Sequence, residues 1–362
     1  MKPIRALHVI DSLGRGGAEQ MLVTLLPALA KQGCTAQVAV LRPPYDLQPM
    51  LESHGIHVHR LTASSKWNLP RRARAIARIA RKADADIIHA HLYFPAITVA
   101  LLRLMRLHRA RTFVSFHNLA YAGANKAGLG LWAKRQIARV LYPLGIDQTL
   151  AVSQAVAQHY RAALGLKTPK ILYNPVEIPP LPDPHPARTL FRVVVPGRLV
   201  HEKGHQDLIQ ALTLLKTPIE MVFAGGGPLQ EILSETAPDV RITGPLSHAQ
   251  MQQEIQSADL VVLPSRYEGF GLTAAEAMAL GRPVLATTAG GLPEVLGDAG
   301  RLVPVQDAPA LAAALDALLQ DDAERQRLGA AGRLRAQTCF ATPAIAARLV
   351  GFYHEAHRKE PR

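Results

Sequence analysis

Short, continuously apolar runs alternate along the whole chain with longer stretches in which apolar residues recur every three or four positions. The runs at 6–10, 36–41, 57–61, 86–90, 112–116, 149–152 and 170–173 read as buried strands. The same reading covers 192–195, 220–224, 240–243, 260–263 and 283–286 in the second half. Between them lie helical patterns, among them 18–31, 70–83 and 131–142, then 273–280, and a last one at 344–357. Strands that are apolar on both faces and alternate with helices belong to parallel sheets covered on both sides. The expected class is α/β, with two doubly wound, Rossmann-like domains.

The two halves meet at Pro179-Pro180-Leu181-Pro182-Asp183-Pro184-His185-Pro186, where five prolines in eight residues exclude helix and central strand. Such a run makes a stiff, extended connector. The expected division is a first domain over 1–178, a linker over 179–190, a second domain over 191–342, and a closing helix over 343–362. Two sheets of this kind leave a cleft between their C-terminal edges, where open α/β folds take ligands.

Composition narrows the classes further. The chain has 362 residues, 48% of them hydrophobic and only 19% charged, which is enough apolar material for two cores and too little charge for disorder. Cys34 and Cys339 form no spaced pair, so neither a disulfide framework nor a cysteine-based metal site is expected, and the chain suits a reducing compartment. Asp11 interrupts the first apolar run, so no signal peptide is expected. The longest apolar stretch, 94–102, falls short of the about 20 residues that span a bilayer.

Candidate chemistry gathers at three glycine-containing loops that follow strands. The first is Asp11-Ser12-Leu13-Gly14-Arg15-Gly16-Gly17-Ala18-Glu19, a glycine loop running into a helix N-terminus, the usual setting for an anion. It has neither GxGxxG spacing nor a GK[ST] ending, so a tight turn explains it equally well. The second is Gly197-Arg198-Leu199-Val200-His201-Glu202-Lys203-Gly204, where two cations five residues apart can converge on a diphosphate or simply line a charged turn. The third is Glu268-Gly269-Phe270-Gly271-Leu272-Thr273-Ala274-Ala275-Glu276. Two carboxylates around exposed backbone amides suit a polyhydroxylated, phosphorylated ligand. A capping box, with Thr273 and Glu276 satisfying backbone donors, accounts for Glu276 as well.

His117 ends the strand at 112–116, on the edge where such sheets bind ligands, although a lone histidine there is more often structural. The pairs His89/His91 and Asp84/Asp86 have the look of metal motifs. Alternate residues on one strand share a face that here is buried, and the aspartates precede a strand as a turn would. No metal is expected.

Taken in order, Gly16-Gly17-Ala18-Glu19, Asp86-Ile-Ile-His-Ala-His91, Tyr173-Asn174-Pro175-Val176-Glu177, Gly197-Arg198 with Glu202-Lys203-Gly204, Glu268 through Gly281, and Gly290-Gly291-Leu292-Pro293-Glu294 cover nearly the whole chain. Together they resemble family 4 of the retaining, nucleotide-sugar-dependent glycosyltransferases. The resemblance implies the two-domain GT-B fold, with the acceptor on the first domain, the donor on the second, and the last helix crossing back to the first. It implies that Arg198 and Lys203 hold the donor diphosphate and that Glu276 accepts from the ribose hydroxyls. Glu268, with Gly269, Phe270, Gly271 and Leu272, would bind the sugar. Gly16 and Gly17 would approach the phosphate, and His117 would contact the sugar near the reacting carbon. The catalytic set is then His117, Glu268, Arg198 and Lys203, with a UDP-sugar as the expected donor and no cofactor.

The formal charge of +13 is unevenly spread: residues 1–180 carry 24 Lys and Arg against 8 Asp and Glu, a net +16, and the remainder is net −3. On a helical wheel Arg71, Arg74, Arg78, Arg81 and Lys82 share one arc, with Leu69, Ala73, Ile76, Ala80 and Ala83 opposite. Lys134, Arg135 and Arg139, and the segment holding Arg103, Arg106, Arg109 and Arg111, add to the basic half. Solvated helix faces are the plain explanation. An anionic membrane carrying a lipid-linked or saccharide acceptor is the functional one. Aromatics at 5% and the lack of any helix-turn-helix or RNP motif argue against nucleic acid. The expected protein is a transferase of cell-surface polysaccharide, lipopolysaccharide or glycolipid synthesis, cytoplasmic and peripheral on the inner membrane face. A nucleotide-sugar epimerase of the same fold and a non-catalytic basic membrane adaptor are the alternatives.

Overall fold

A computed structural model describes residues 3–61, 68–122, 128–181 and 188–358. The chain forms two compact units, one made of residues 1–175 and 342–362, the other of 176–341. The division falls just ahead of the proline run, not within it, and residues 182–187 of that run lie outside the described residues. Pro179 belongs with the second unit, where its carbonyl accepts from Arg333 at 2.8 Å.

The first unit is built on seven parallel strands: β1 (Ile4–Ile10), β2 (Cys34–Val40), β3 (His57–Arg60), β4 (Ile87–His91), β5 (Arg111–Phe116), β6 (Gln148–Ala151) and β7 (Lys170–Ile171). Their order is β3-β2-β1-β4-β5-β6-β7, so the winding reverses between β1 and β4. The connecting helices are α1 (Gly17–Ala30), α2 (Gln48–Ser53), α3 (Leu69–Lys82), α4 (Tyr93–Leu104), α5 (Leu129–Gly145) and α6 (Gln154–Leu164). α3 begins where Asn68 Oδ1 accepts from the Arg71 amide at 3.3 Å, and it buries Ala73, Ile76, Ala77 and Ala80. That is its apolar stripe, and it leaves Arg71, Arg74, Arg78 and Arg81 outside while Arg72 is buried beside it. α4 packs against both α3 and α5, which puts these three helices in one layer.

The second unit repeats the plan with β8 (Phe191–Pro196), β9 (Ile219–Ala224), β10 (Arg241–Ile242), β11 (Leu260–Leu263), β12 (Val284–Thr287) and β13 (Arg301–Val303). The order is β10-β9-β8-β11-β12-β13, all parallel, with the reversal between β8 and β11. Its helices are α7 (His205–Leu212), α8 (Gln230–Thr236), α9 (His248–Gln256), α10 (Leu272–Ala279), α11 (Leu292–Leu296), α12 (Ala308–Gln320) and α13 (Asp322–Cys339). β13 has no counterpart among the sequence-derived strands, because three residues beginning with an exposed arginine carry no periodic signal.

The last helix, α14 (Thr342–Arg358), belongs to the first unit, where it lies on α1 and β1. It buries Ile345, Ala346, Leu349, Val350 and Tyr353 in the same core as Ile10, Leu22, Leu26 and Phe113. At about 1.5–3 kcal/mol per fully buried large apolar side chain, those contacts fix the helix firmly.

Candidate functional site

In open α/β sheets ligands bind beyond the C-terminal ends of the strands, where the winding reverses. In the second unit that place is set by two loops, 197–204 after β8 and 264–271 after β11. Both arise from apolar strands that stop abruptly, the first at Gly197 and the second at Pro264. The loops are stitched together. Glu202 O accepts from the amides of Arg266 and Tyr267 at 2.8 and 3.3 Å, and Arg266 Nε donates to Asp207 Oδ2 at 2.7 Å. At the meeting point Lys203 Nζ donates to Glu268 Oε2 at 2.6 Å. The Lys203–Glu268 pair therefore stands at the reversal of the sheet.

Two glycines make this packing possible. Gly204 has φ +69°, and a Cβ there would strike the Pro264 carbonyl. Gly290 has φ +53°, and a Cβ there would strike the carbonyl of Glu268 itself. No other residue type combines that conformation with that approach. The Gly291 amide then donates to Glu268 O at 3.1 Å, so the segment before α11 braces the Glu268 backbone.

α10 begins at Leu272 behind Gly271, which has φ +100° and supplies no side-chain cap. The capping box proposed for Thr273 and Glu276 is not formed: the helix starts two residues too early for Thr273 to be its cap. Glu276 makes no side-chain hydrogen bond among the described residues, and burial pushes its carboxyl up to about 7. Phe270 sits inside the core with its ring edge-on to Phe340 at 5.4 Å, so only its backbone can serve a ligand. Gly269 precedes it on the same loop, and Leu272 opens the helix. Arg198 shares the first loop with Lys203 but is exposed and makes no ion pair among the described residues.

In the first unit the reversal lies between β1 and β4. Gly16 caps α1 with the Glu19 carboxylate packed against it, while Gly17 faces open space. The loop before them is anchored by Leu13 N donating to Pro44 O at 2.8 Å and by an Asp11–Arg42 ion pair. On the neighbouring strands, His91 ends β4 and His117 follows β5. Leu92, directly after His91, has φ +70°, a conformation that costs a bulky residue about 1–3 kcal/mol and that clusters at functional sites. His117 Nε2 bonds to His91 Nδ1 at 3.0 Å, while its Nδ1 is buried without a partner. Burial lowers the His117 pKa to about 4, so the ring is neutral near pH 7.

The motifs that suggested metal resolve differently. Asp86 Oδ2 accepts from the Arg5 amide and Nε at 3.0 and 3.1 Å, and Asp84 also pairs with Arg5. His89 and His91 are buried with His8, and one ring nitrogen from each of the three lies within 4.8 Å of the other two. Their actual partners, however, are side chains: Tyr353, Ser115, His8 and His117.

The basic half is more selective than the sequence implies. Arg71, Arg74, Arg78, Arg81 and Lys82 are exposed on α3, and Arg139 is exposed on α5. Arg81 donates to Leu107 O at 2.8 Å. Lys134 lies over the rings of Tyr93 and Phe94 at 5.8 and 5.4 Å, and Arg135 donates to Ala163 O at 2.6 Å. These two serve their own layer. Arg111 is buried on β5 and paired with Asp147 at 3.6 Å, so it contributes nothing to a surface patch. What the charge pattern missed is apolar: α5 exposes Leu129 (87%), Trp132 (62%), Val140 and Leu144 (63%).

Residues 15–178 match the family model described as Glycosyltransferase Family 4, and residues 191–321 match that described as Glycosyl transferases group 1. The chain is 28% identical to the MMP alpha-(1->4)-mannosyltransferase of Mycolicibacterium hassiacum over 79% of its own length and 74% of that protein's. It is 27% identical to the D-inositol 3-phosphate glycosyltransferase of Xylanimonas cellulosilytica over 97% and 95%. Its fold is shared with Anabaena HepE in complex with UDP-glucose, with a TM-score of 0.82 and 20% identity over 97% of this chain and 100% of that one.

Proposed function

The chain belongs to glycosyltransferase family 4, nucleotide-sugar-dependent transferases of GT-B fold, and from that premise we propose a retaining transfer from a UDP-sugar to a lipid-linked or saccharide acceptor in cell-surface polysaccharide, lipopolysaccharide or glycolipid synthesis. The observation that carries the site assignment is the Lys203–Glu268 contact at the reversal of the second sheet, with Glu276 unpaired on the helix that follows.

Breaking a glycosyl–phosphate bond places negative charge on the departing diphosphate and positive charge on the sugar ring. Arg198 and Lys203 stabilise the first, with the amides opening α10 adding their dipole. Glu268 holds Lys203 and accepts from sugar hydroxyls. Glu276 accepts from the ribose, and His117 contacts the sugar near its reacting carbon. Gly16 and Gly17 leave the backbone open to the phosphate. Hydrolases of glycosides place two carboxylates across the bond; here the acidic side chains of the site are engaged in binding. The substitution then runs on one face: the C1–phosphate bond breaks, the acceptor oxygen bonds to C1, and its proton leaves on the diphosphate. Fixed cations do the work of charge neutralisation, so the reaction proceeds without a metal. UDP as the nucleotide is supported by the ligand of HepE.

Membrane association is the second reading, and the joint exposure of cations on α3 and of Trp132, Leu129 and Leu144 on α5, two helices of one layer, favours it. Basic residues near an anionic surface contribute about 1 kcal/mol each. Apolar side chains entering the interface add to that. No helix among the described residues is long and apolar enough to cross a membrane. The site of action would be the cytoplasmic face of the cell membrane.

Thermal-shift screening of nucleotide diphosphates and their sugars tests the function. A ligand at a hundred times its Kd stabilises by about 2.7 kcal/mol, and UDP with one UDP-sugar should stand out. No shift with any of them would overturn the reading. Conversion of the sugar nucleotide without acceptor would replace it by an epimerase.

A further inference from the structure

The interior of the first unit gathers imidazoles and holds no charge to balance them. His8 stands on β1, His89 and His91 on β4, and His117 directly after β5. The first three are 0%, 1% and 1% exposed. Ring centroids lie 5.3 Å apart for His8 and His91, 4.5 Å for His89 and His91, and 5.3 Å for His91 and His117. Besides one another, the rings bond to the hydroxyls of Ser115 on β5 and Tyr353 on α14.

None of the elements packed around them supplies a counter-charge. α14 turns Ile345, Ala346, Leu349, Val350 and Tyr353 inward, and its charged side chains lie off that face. α1 carries one ionisable group, Glu19, whose carboxylate lies against Gly16. Arg111, at the far end of β5, is paired with Asp147. From β2 comes Cys34, whose thiol is pushed up to about 12 by burial and by the charge of Asp86. Asp86 itself is held by Arg5. Burial, with Cys34 beside it, keeps the Tyr353 phenol well above its ordinary range. The rings are neutral as well: burial pushes His8 down to about 3 and His117 to about 4. Burial and the neighbouring rings hold His89 and His91 well below the ordinary range.

Unfolding returns each imidazole to its ordinary pKa near 6.5. Below that value the unfolded first unit binds up to four protons that the folded one excludes, so stability falls as pH falls. The folded-state values lie below the unfolded one, so this contribution is complete above about pH 6.5 and is lost between there and about pH 4. From pH 6 to pH 5 each ring lowers the folding constant by about eightfold, and four rings together by about 10³–10⁴. Protonating the rings in place is no alternative, because two charged rings would stand 4.5 to 5.3 Å apart with no carboxylate between them.

The second unit is built otherwise. Among its described residues one ring is fully buried, His205, 2% exposed and pushed down to about 4 by burial and by Lys203. Glu276, raised to about 7, takes up a proton in the folded state over the same range and offsets it. We propose that the four-histidine interior makes the first unit an acid-opened latch: between pH 7 and pH 5 it takes up several protons and opens, the second unit stays folded, and return to pH 7 closes it again. A transferase whose acceptor half has opened is switched off. That consequence rests on the assignment of the acceptor to this unit; the opening does not.

Hydrogen exchange of the whole protein from pH 7 to pH 5, resolved to peptides and corrected for the intrinsic pH dependence of amide exchange, is the test. It uses no ligand, so an error in the acceptor assignment cannot disturb it. Core amides of β1, β4 and β5 should lose about 10³–10⁴ in protection between pH 6 and pH 5, and those of β8, β11 and β12 less than about tenfold. Protection should return at pH 7. Glutamine forms hydrogen bonds but does not titrate, so joint substitution of His8→Gln and His89→Gln should shrink the loss to about 10². A loss under about a hundredfold in the wild-type first unit, an equal loss in both units, or a double variant as acid-sensitive as the wild type overturns the proposal. If the double variant does not fold, the contrast between the two wild-type units decides alone.

Discussion

Lys203 and Glu268 lie 65 residues apart in sequence and 2.6 Å apart in space, each on the loop that leaves one of the two strands flanking the reversal of the second sheet. A pair so placed is a lever on catalysis more than on stability, because both side chains keep some contact with solvent. Lys203→Ala should lower kcat/KM by about 10²–10³, the loss seen when one oriented donor is taken from a developing anion, and Glu268→Ala should lower it as well, because Lys203 loses its partner and the sugar an acceptor. Unfolding midpoints should move by no more than the about 1 kcal/mol of a partly exposed pair. Steady-state transfer assays beside thermal melts check this, and near wild-type turnover in either variant would refute the site.

Glu276 should make donor binding depend on pH. Its carboxyl is raised to about 7 by burial, and the ionised form is the stronger acceptor for ribose hydroxyls. If only that form binds, the apparent Kd for UDP should weaken about tenfold between pH 8 and pH 6 as the competent fraction falls. The unliganded protein responds in the opposite sense: a folded-state value above the unfolded one means that stability is lost as pH rises through 7. Calorimetric titration at three pH values, with Glu276→Gln as a pH-flat control, measures the first effect.

The Arg266–Asp207 pair holds the Glu268 loop by a fork of two bonds, which a lysine cannot copy. Arg266→Lys should leave a folded protein with its melting point lowered by several degrees, consistent with a loss of about 1–2 kcal/mol in a domain of this size. Transfer should fall further than melting alone explains, because Glu268 loses its brace. Equal activity at a lowered melting point would show the loop to be held by other contacts.

Membrane association predicts a composite requirement. Flotation with liposomes containing an anionic lipid should be strong at low salt and weaken as the Debye length shortens from about 10 Å at 0.1 M to about 3 Å at 1 M. Replacing Arg74 and Arg78 by Glu should remove most binding, and Trp132→Ser should weaken it at every salt concentration. Equal flotation with neutral liposomes, or none with either, would end this reading.

The strands were legible because burial on both faces makes them uniformly apolar, and β1, β8 and β11 begin and end within a few residues of where the pattern puts them. The site loops were legible because glycine and charge are out of place after such strands. Less visible was whatever depends on distance in sequence. Tyr353 and His8 are 345 residues apart, and nothing in either segment announces the other. The capping box at Thr273 failed for a local reason: Gly271 has no Cβ and turns the chain through φ +100°, starting α10 early. Arg111 and Arg135 looked like surface charge because a count of cations does not register that Asp147 or the Ala163 carbonyl consumes them.

The return of α14 to the first unit has a consequence for biosynthesis. The first 175 residues leave the ribosome without the helix that supplies Ile345, Leu349 and Tyr353 to their core, and the whole second unit must be made before it arrives. The first unit is thus the first begun and the last finished, waiting through 166 residues of translation with an apolar strip uncovered. A chain stopped at Ala341 would carry a complete second unit and a first unit prone to aggregation.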